Sequence, residues 1–383
     1  MNSRLGLIAV LAVLGAGWGL TLPLAKVAVS GGYRPLGLLF WQLVLGVAVL
    51  PLIGMGGAQL FRAEVPGIAT DRLKPRIATT ARLLWGVYAI FTAALCVTYL
   101  LLGMSTFEAV NHAMSALATG GFSTRTASVG AFSPAIQWVT VLFMLIAGTN
   151  FTLHYALLSG KWNAWIRDVE WRWYAGIALV ISVAVFVVLG LSGHDWVFRD
   201  AAFNVVAVLS TTGFATADFG QWPPFCLVLL LGLMFVGAMG GSTGGGFKIA
   251  RAVVVVKHAA SEVQKVLHPK GVFVTKLGRA PIRSGILLNV LAFLALYVLT
   301  LGIGSLLIAA SGYDLITSGS AALAAMSSIG PGLGQVGPAE HYGHMGSMPH
   351  FVLSGLMLLG RLEFYTLLVL IIPGTWDHRA GEP

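Results

Sequence analysis

Long apolar runs dominate the chain, divided by short basic loops. Runs of about 20 apolar residues match the ~30 Å hydrocarbon core of a bilayer. On this pattern, membrane helices are predicted at 5–29, 36–55, 83–103, 135–159, 173–192, 223–256, 285–310 and 350–373. Three further apolar segments, 106–118, 198–210 and 314–328, are too short to cross. A helix of that length, at ~1.5 Å per residue, reaches about 20 Å. Each enters the membrane and ends in a glycine-centred loop. The first run, Leu5 to Val29, is longer than a signal-peptide core and a second apolar run follows at once, so it reads as a retained helix.

The glycine loops repeat. Thr119-Gly120-Gly121-Phe122-Ser123-Thr124 has a near copy in Thr211-Thr212-Gly213-Phe214-Ala215-Thr216. An acid, Glu108 or Asp200, stands 13 residues before the central glycine in both. A looser copy runs from Asp314 to Ser328-Ile329-Gly330-Pro331-Gly332. The expected fold is an all-α integral membrane protein with about eight spans. Its repeated unit is a membrane helix, a pore half-helix, a filter loop and a returning membrane helix, set around a central pore.

Composition removes the soluble classes. Hydrophobic residues make up 57% of the 383 residues and charged ones 10%, less than half the usual charged share. Cys96 and Cys226 both sit in apolar runs, which gives neither a disulfide framework nor a zinc spacing. The net charge of +9 is concentrated in the loops 56–84, 160–172 and 247–283. Positive loops stay cytoplasmic. Both termini then lie inside, the glycine loops approach from outside, and the charge is a topology signal rather than a nucleic-acid footprint.

Irregular backbone at membrane depth is tolerated only when buried in protein or lining water. Three such loops therefore share an aqueous axis, where rings of carbonyls replace the water of a K⁺-sized ion. Small hydroxyls at Thr119, Thr211, Thr212 and Ser328 are placed to add ligands. The acids Glu108, Asp200 and Asp314 read as helix caps, and His112 and Asn204 as packing or local hydrogen bonding. The span 223–256 carries six glycines within 237–246, including Gly240-Gly241-Ser242-Thr243-Gly244-Gly245-Gly246. Each glycine costs about 1 kcal/mol in a helix against alanine. A plug across the pore is favoured here over a kink or close helix packing. Arg361, inside the last span, has two open roles: a positive barrier facing the pore, or a buried pair with Glu363 or another carboxylate. The phosphate-loop likeness of Gly241 to Lys248 fails because Phe247 intervenes, and Gly332 to Gly337 lacks the strand a dinucleotide site needs.

Ala118–Thr124, Ser210–Thr216 with Asp218-Phe219 and Gln221-Trp222-Pro223, Gly241–Lys248, Ile329–Gly334 and Gly360-Arg361-Leu362-Glu363 together resemble the Trk/Ktr/HKT superfamily of potassium transporters, most closely the bacterial TrkH type. Gln59–Gly67 is similar to that family's first cytoplasmic linker, and the resemblance covers roughly residues 50 to 376. It implies four pore units with pseudo-fourfold symmetry, potassium as the transported ion with no other cofactor, and a homodimer in the lipid of the bacterial inner membrane. It also implies a cytosolic nucleotide-binding regulatory subunit of the TrkA type. The filter residues would be Thr119, Gly120, Gly121, Phe122, Thr211, Thr212, Gly213, Phe214, Ser328, Ile329, Gly330 and Pro331. The gate would be the loop 237–246, with Arg361 guarding the pore.

The resulting division is an N-terminal hairpin at 1–55 and a cytoplasmic linker at 56–82. Pore units follow at 83–160 (filter 119–124) and 161–257 (filter 211–216, gate 237–246). A second linker at 258–282 leads to a pore unit at 283–376 (filter 328–334). The family pattern has four filters, and three are recognisable here. Residues 5–50 resemble instead the first hairpin of a drug/metabolite (EamA-type) transporter, through Gly17–Pro23 and Phe40-Trp41-Gln42. Ser30-Gly31-Gly32-Tyr33 mimics a filter only superficially. Selectivity is expected to suffer unless a second chain or the hairpin fills the gap. The expected function is potassium uptake, not enzymatic. The alternatives are a non-conducting remnant and a small-metabolite exporter.

Overall fold

The apolar runs form helices in the computed structural model, which describes residues 77–193, 198–278, 280–282, 284–362 and Phe364. The chain divides into two compact units, Met1–Glu64 and Val65–Pro383, and the described residues belong to the second. The predicted helices 5–29 and 36–55, the likeness to a drug/metabolite hairpin, Ser30–Tyr33 and Glu363 lie outside the described residues.

Three successive groups of helices follow. In the first, α1 (Ile77–Leu101) leads into α2 (Thr106–Leu117), then α3 (Pro134–Ala147) and α4 (Phe151–Leu158). After a short α5 (Trp162–Arg167), the second group is α6 (Val169–Leu191), α7 (Phe198–Leu209), α8 (Pro224–Val236) and α9 (Ile249–Leu267). A two-stranded ribbon, β1 (Lys276–Leu277) paired antiparallel with β2 (Ala280–Pro281), precedes the third group. That group is α10 (Ser284–Ala309), α11 (Leu315–Met326) and α12 (Ser347–Leu362). The starts are written locally. Pro134 and Pro224 stand in first turns, where the missing N–H has no helical partner to lose. Asp168 caps α6 by accepting from the Trp171 N–H at 2.7 Å.

Among the described residues, three helices are long and apolar enough to cross unaided: Arg82–Leu101, Val169–Leu191 and Ser284–Ala309. The single helix predicted over 135–159 is instead two, α3 and α4, which meet at 102°. Thr149 turns its hydroxyl back onto the Leu145 carbonyl at 2.8 Å, and Asn150 caps α4 by accepting from the Thr152 N–H at 2.8 Å. The span predicted over 223–256 is also two helices, α8 and α9, separated by the glycine-rich loop.

The short helices α2, α7 and α11 form the centre. Every residue of α7 from Ala201 to Leu209 is buried, as are Ser320 to Met326 of α11. The long helices surround them and expose apolar side chains, including Leu101, Leu179, Val180, Leu299 and Leu306. Exposed apolar side chains on helices of this length suit a hydrocarbon surrounding better than water. Buried hydroxyls tie the layers together. Tyr99 of α1 bonds Thr140 of α3 at 2.7 Å. Tyr297 of α10 bonds Ser327 at 2.8 Å, and Ser327 donates to the Met234 carbonyl of α8 at 2.6 Å.

Candidate functional site: three glycine loops above a fourth

The three half-helices have one length, 12 residues each. Their starts explain why the third copy looked loose. Glu108 sits in the first turn of α2, in a reciprocal capping box with Ser105, and Asp200 lies in the first turn of α7. In α11 the acid is the cap itself: Asp314 accepts from the Thr317 N–H at 3.1 Å. The acid has moved three places along the helix while the helix and its loop have kept their register. Glu108 also pairs with Arg125 at 2.6 Å. Bonds from Ser105 and then Arg125 hold its carboxyl below the ordinary value. His112 bonds the Glu108 carbonyl and the Ser123 hydroxyl at 2.8 and 2.9 Å. Asn204 bonds the Asp200 carbonyl at 2.8 Å and the Thr216 hydroxyl at 3.3 Å. Both act as local braces between half-helix and loop.

Each half-helix ends in the same way. The N–H of Gly120, Thr212 and Ile329 reaches back five residues, to the carbonyls of Ser115, Ala207 and Ala324, at 2.7, 2.9 and 2.9 Å. The residue just before takes a left-handed conformation: φ is 51° at Thr119, 58° at Thr211 and 55° at Ser328. Glycine is the usual occupant of that cap position, and a β-branched residue there is strained. Two residues on, φ is positive again, at 66° for Gly121, 80° for Gly213 and 106° for Gly330. Positive φ at alternate residues swings successive carbonyls toward one side, where an extended strand would alternate them. Strain repeated at three matched places points to function.

The loops lie side by side. A Cβ on Gly121 would collide with the Thr212 carbonyl, and one on Gly213 with the Ile329 carbonyl. The series then stops: among the described residues, a Cβ on Gly330 would meet nothing within 4 Å. At the other edge Phe122 is 58% exposed, whereas its counterpart Phe214 is 1% exposed and stacks on His112 at 6.0 Å. One further brace carries no sequence signal: the Tyr342 hydroxyl donates to the Gly330 carbonyl at 2.7 Å.

The hydroxyls do not all point where the sequence suggested. Thr212 bonds Ser210 at 2.8 Å. Thr119 donates to the Thr243 carbonyl at 2.9 Å, and Thr211 accepts from the Gly245 N–H at 2.7 Å. Two of the strained residues are thereby joined to the glycine-rich loop between α8 and α9. That loop passes beneath the half-helix ends. A Cβ on Gly245 would collide with the Ser327 carbonyl, and the Thr243 hydroxyl lies 2.9 Å from the Leu117 carbonyl. Lys248 folds back onto the Gly244 carbonyl. Arg361 of α12 is on the exposed side and donates to the Thr243 carbonyl at 2.6 Å. The structure therefore brings Arg361, the loop and Thr119 to one carbonyl oxygen. Gly240, Gly241, Ser242, Gly244 and Gly246 complete the loop without a helical turn.

The comparisons agree with this architecture. The family model described as TrkH, cation transport protein, matches residues 37–375. That match starts within the stretch likened to a drug/metabolite hairpin. The chain is 40% identical over 341 residues to the Trk system potassium uptake protein TrkH of Salmonella typhimurium, covering 87% of this chain and 70% of that protein. It is 35% identical to the Trk system potassium uptake protein TrkG of Escherichia coli, with the same coverage. The crystal structure of the potassium transporter TrkH from Vibrio parahaemolyticus superposes with a TM-score of 0.75 at 37% identity, covering 87% of this chain and 69% of that one. The chain belongs to the TrkH family of cation transport proteins.

Proposed function

We propose that this chain carries K⁺ into the cell along an axis lined by the three glycine loops. The observation that carries the reading is the repeated backbone: three half-helices of equal length, each ending in a positive-φ pair, packed edge to edge. Carbonyls of Thr119 to Phe122, Thr211 to Phe214 and Ser328 to Pro331 would replace the ion's water. The half-helix C-terminal ends supply partial negative charge toward it. The relatives named as potassium uptake proteins support potassium as the ion. A small-metabolite exporter is not favoured, because the family match runs through all three glycine loops.

The loop 237–246 acts as the gate in this reading, and Arg361 adds a positive charge at the same point. The divisions 83–160, 161–257 and 283–376 are taken as pore units, and 1–55, 56–82 and 258–282 as hairpin and linkers. The chain works in the inner membrane as a homodimer with both termini inside, and a cytosolic nucleotide-binding subunit of the TrkA type acts on it. Growth of a K⁺-uptake-deficient bacterium at low K⁺ tests the function. Rescue by this chain, lost with Gly213→Asp at equal membrane expression, is the expected result. No rescue with the regulatory partner present and the chain stably expressed would reject it.

A further inference from the structure

The bend between α3 and α4 has a partner in space. In an unbroken helix, the Phe151 N–H would bond the Ala147 carbonyl and the Thr152 N–H the Gly148 carbonyl. Here all four groups are diverted. Thr152 N–H turns to the Asn150 side chain at 2.8 Å. Gly148 carbonyl accepts from the Met239 N–H at 3.1 Å, and the Phe151 N–H donates to the Gly241 carbonyl at 3.1 Å. Ala147 carbonyl accepts from the Thr243 backbone at 3.4 Å and lies 3.0 Å from its hydroxyl. Three of the four backbone groups released by the break are thus bonded to the glycine-rich loop.

One carboxylate completes this seat. Oε1 of Glu170, in the first turn of α6, accepts from the Gly240 N–H at 2.7 Å and from the Ala250 N–H at 3.2 Å. Gly240 lies in the first half of the loop and Ala250 in the first turn of α9 just beyond it, so a single oxygen ties the loop to the start of the next helix. Tyr174, one turn along the same face of α6, lies against Gly148, where a Cβ would come within 2.9 Å of the ring carbon bearing its hydroxyl. The face of α6 that holds the loop also holds the bend.

We propose that the α3–α4 bend and Glu170 form a receptor that holds the glycine-rich loop in its closed position, with Glu170 as the positioning residue. The proposal rests on the reading of that loop as the gate. Opening must free the 239–243 backbone from the bend and release both N–H groups from Glu170. Glu170 is bonded to Gly240 and Ala250 and not to a residue of the three glycine loops, so its effect is on how often the path is open and not on which ion passes.

The test uses the full chain in lipid vesicles, with K⁺ flux, the K⁺-to-Na⁺ flux ratio and the rate of thiol labelling at Ser242→Cys as readouts. Glu170→Ala should raise flux and labelling at least on the order of tenfold, since it removes both hydrogen bonds that Oε1 accepts. The ion ratio should not move. Glu170→Gln keeps an acceptor oxygen but no charge and should fall between. If the alanine variant does not reach the membrane, Glu170→Asp, whose shorter side chain withdraws the oxygen, decides on the same readouts. Flux and labelling unchanged by these variants, while deletion of Gly240–Gly245 raises flux, would overturn the receptor and leave the gate standing. Flux unchanged by the deletion itself would overturn the gate reading and the receptor together.

Discussion

At Thr119, Thr211 and Ser328 the backbone takes a conformation that side chains with a Cβ avoid, and two of the three hydroxyls show what is gained. Thr211 accepts the Gly245 N–H, and Thr119 donates to Thr243. Thr211→Val keeps the shape and removes the acceptor. Leaving a buried donor unpaired costs about 1–3 kcal/mol. Basal K⁺ flux should rise, with the ion ratio unchanged; lower flux would place the hydroxyl on the ion path instead. Arg361→Ala removes a donor from the same Thr243 carbonyl, so it too should raise flux. A variant that fails to fold would make Arg361 a structural residue. Gly213→Ala should act the other way. A left-handed alanine costs roughly 1–2 kcal/mol, and its Cβ has the Ile329 carbonyl in its way. Flux should fall together with thermal stability, read by melting in detergent.

At the scale of elements, the half-helices were legible in the sequence because their ends are written in local chemistry. Ser105 with Glu108, and Asp314 alone, mark starts, and a hydroxyl-x-glycine pattern marks the ends. Ser105→Ala should lower stability by about 0.5–2 kcal/mol, the range for losing an N-cap. Glu108 is held below its ordinary value by Ser105 and Arg125, so its contribution is present at neutral pH and lost as pH falls through the lowered value. Glu108→Gln should flatten that acid limb of the melting profile. The bend at 148–150 was not legible. Apolar residues continue on both sides of it, and the groups that make it favourable belong to a loop some 90 residues later in the chain. Asn150 was the one local sign, a cap residue inside an apolar run. The left-handed threonines were hidden for a related reason. Intrinsic preference argues against them, and tertiary bonds to the 237–248 loop override it.

At the scale of the molecule, the glycine loops form an open series. Gly121 abuts the second loop and Gly213 the third, while Gly330 has no such neighbour among the described residues and Phe122 is exposed. Cation flux through the purified chain in vesicles, with K⁺ and Na⁺ measured in parallel, tests the shared ion path most directly. The expected result is K⁺ uptake that exceeds Na⁺ uptake and is abolished by Gly213→Asp in protein of equal yield and dispersity. No cation flux from well-folded protein, or flux indifferent to that substitution, would contradict it.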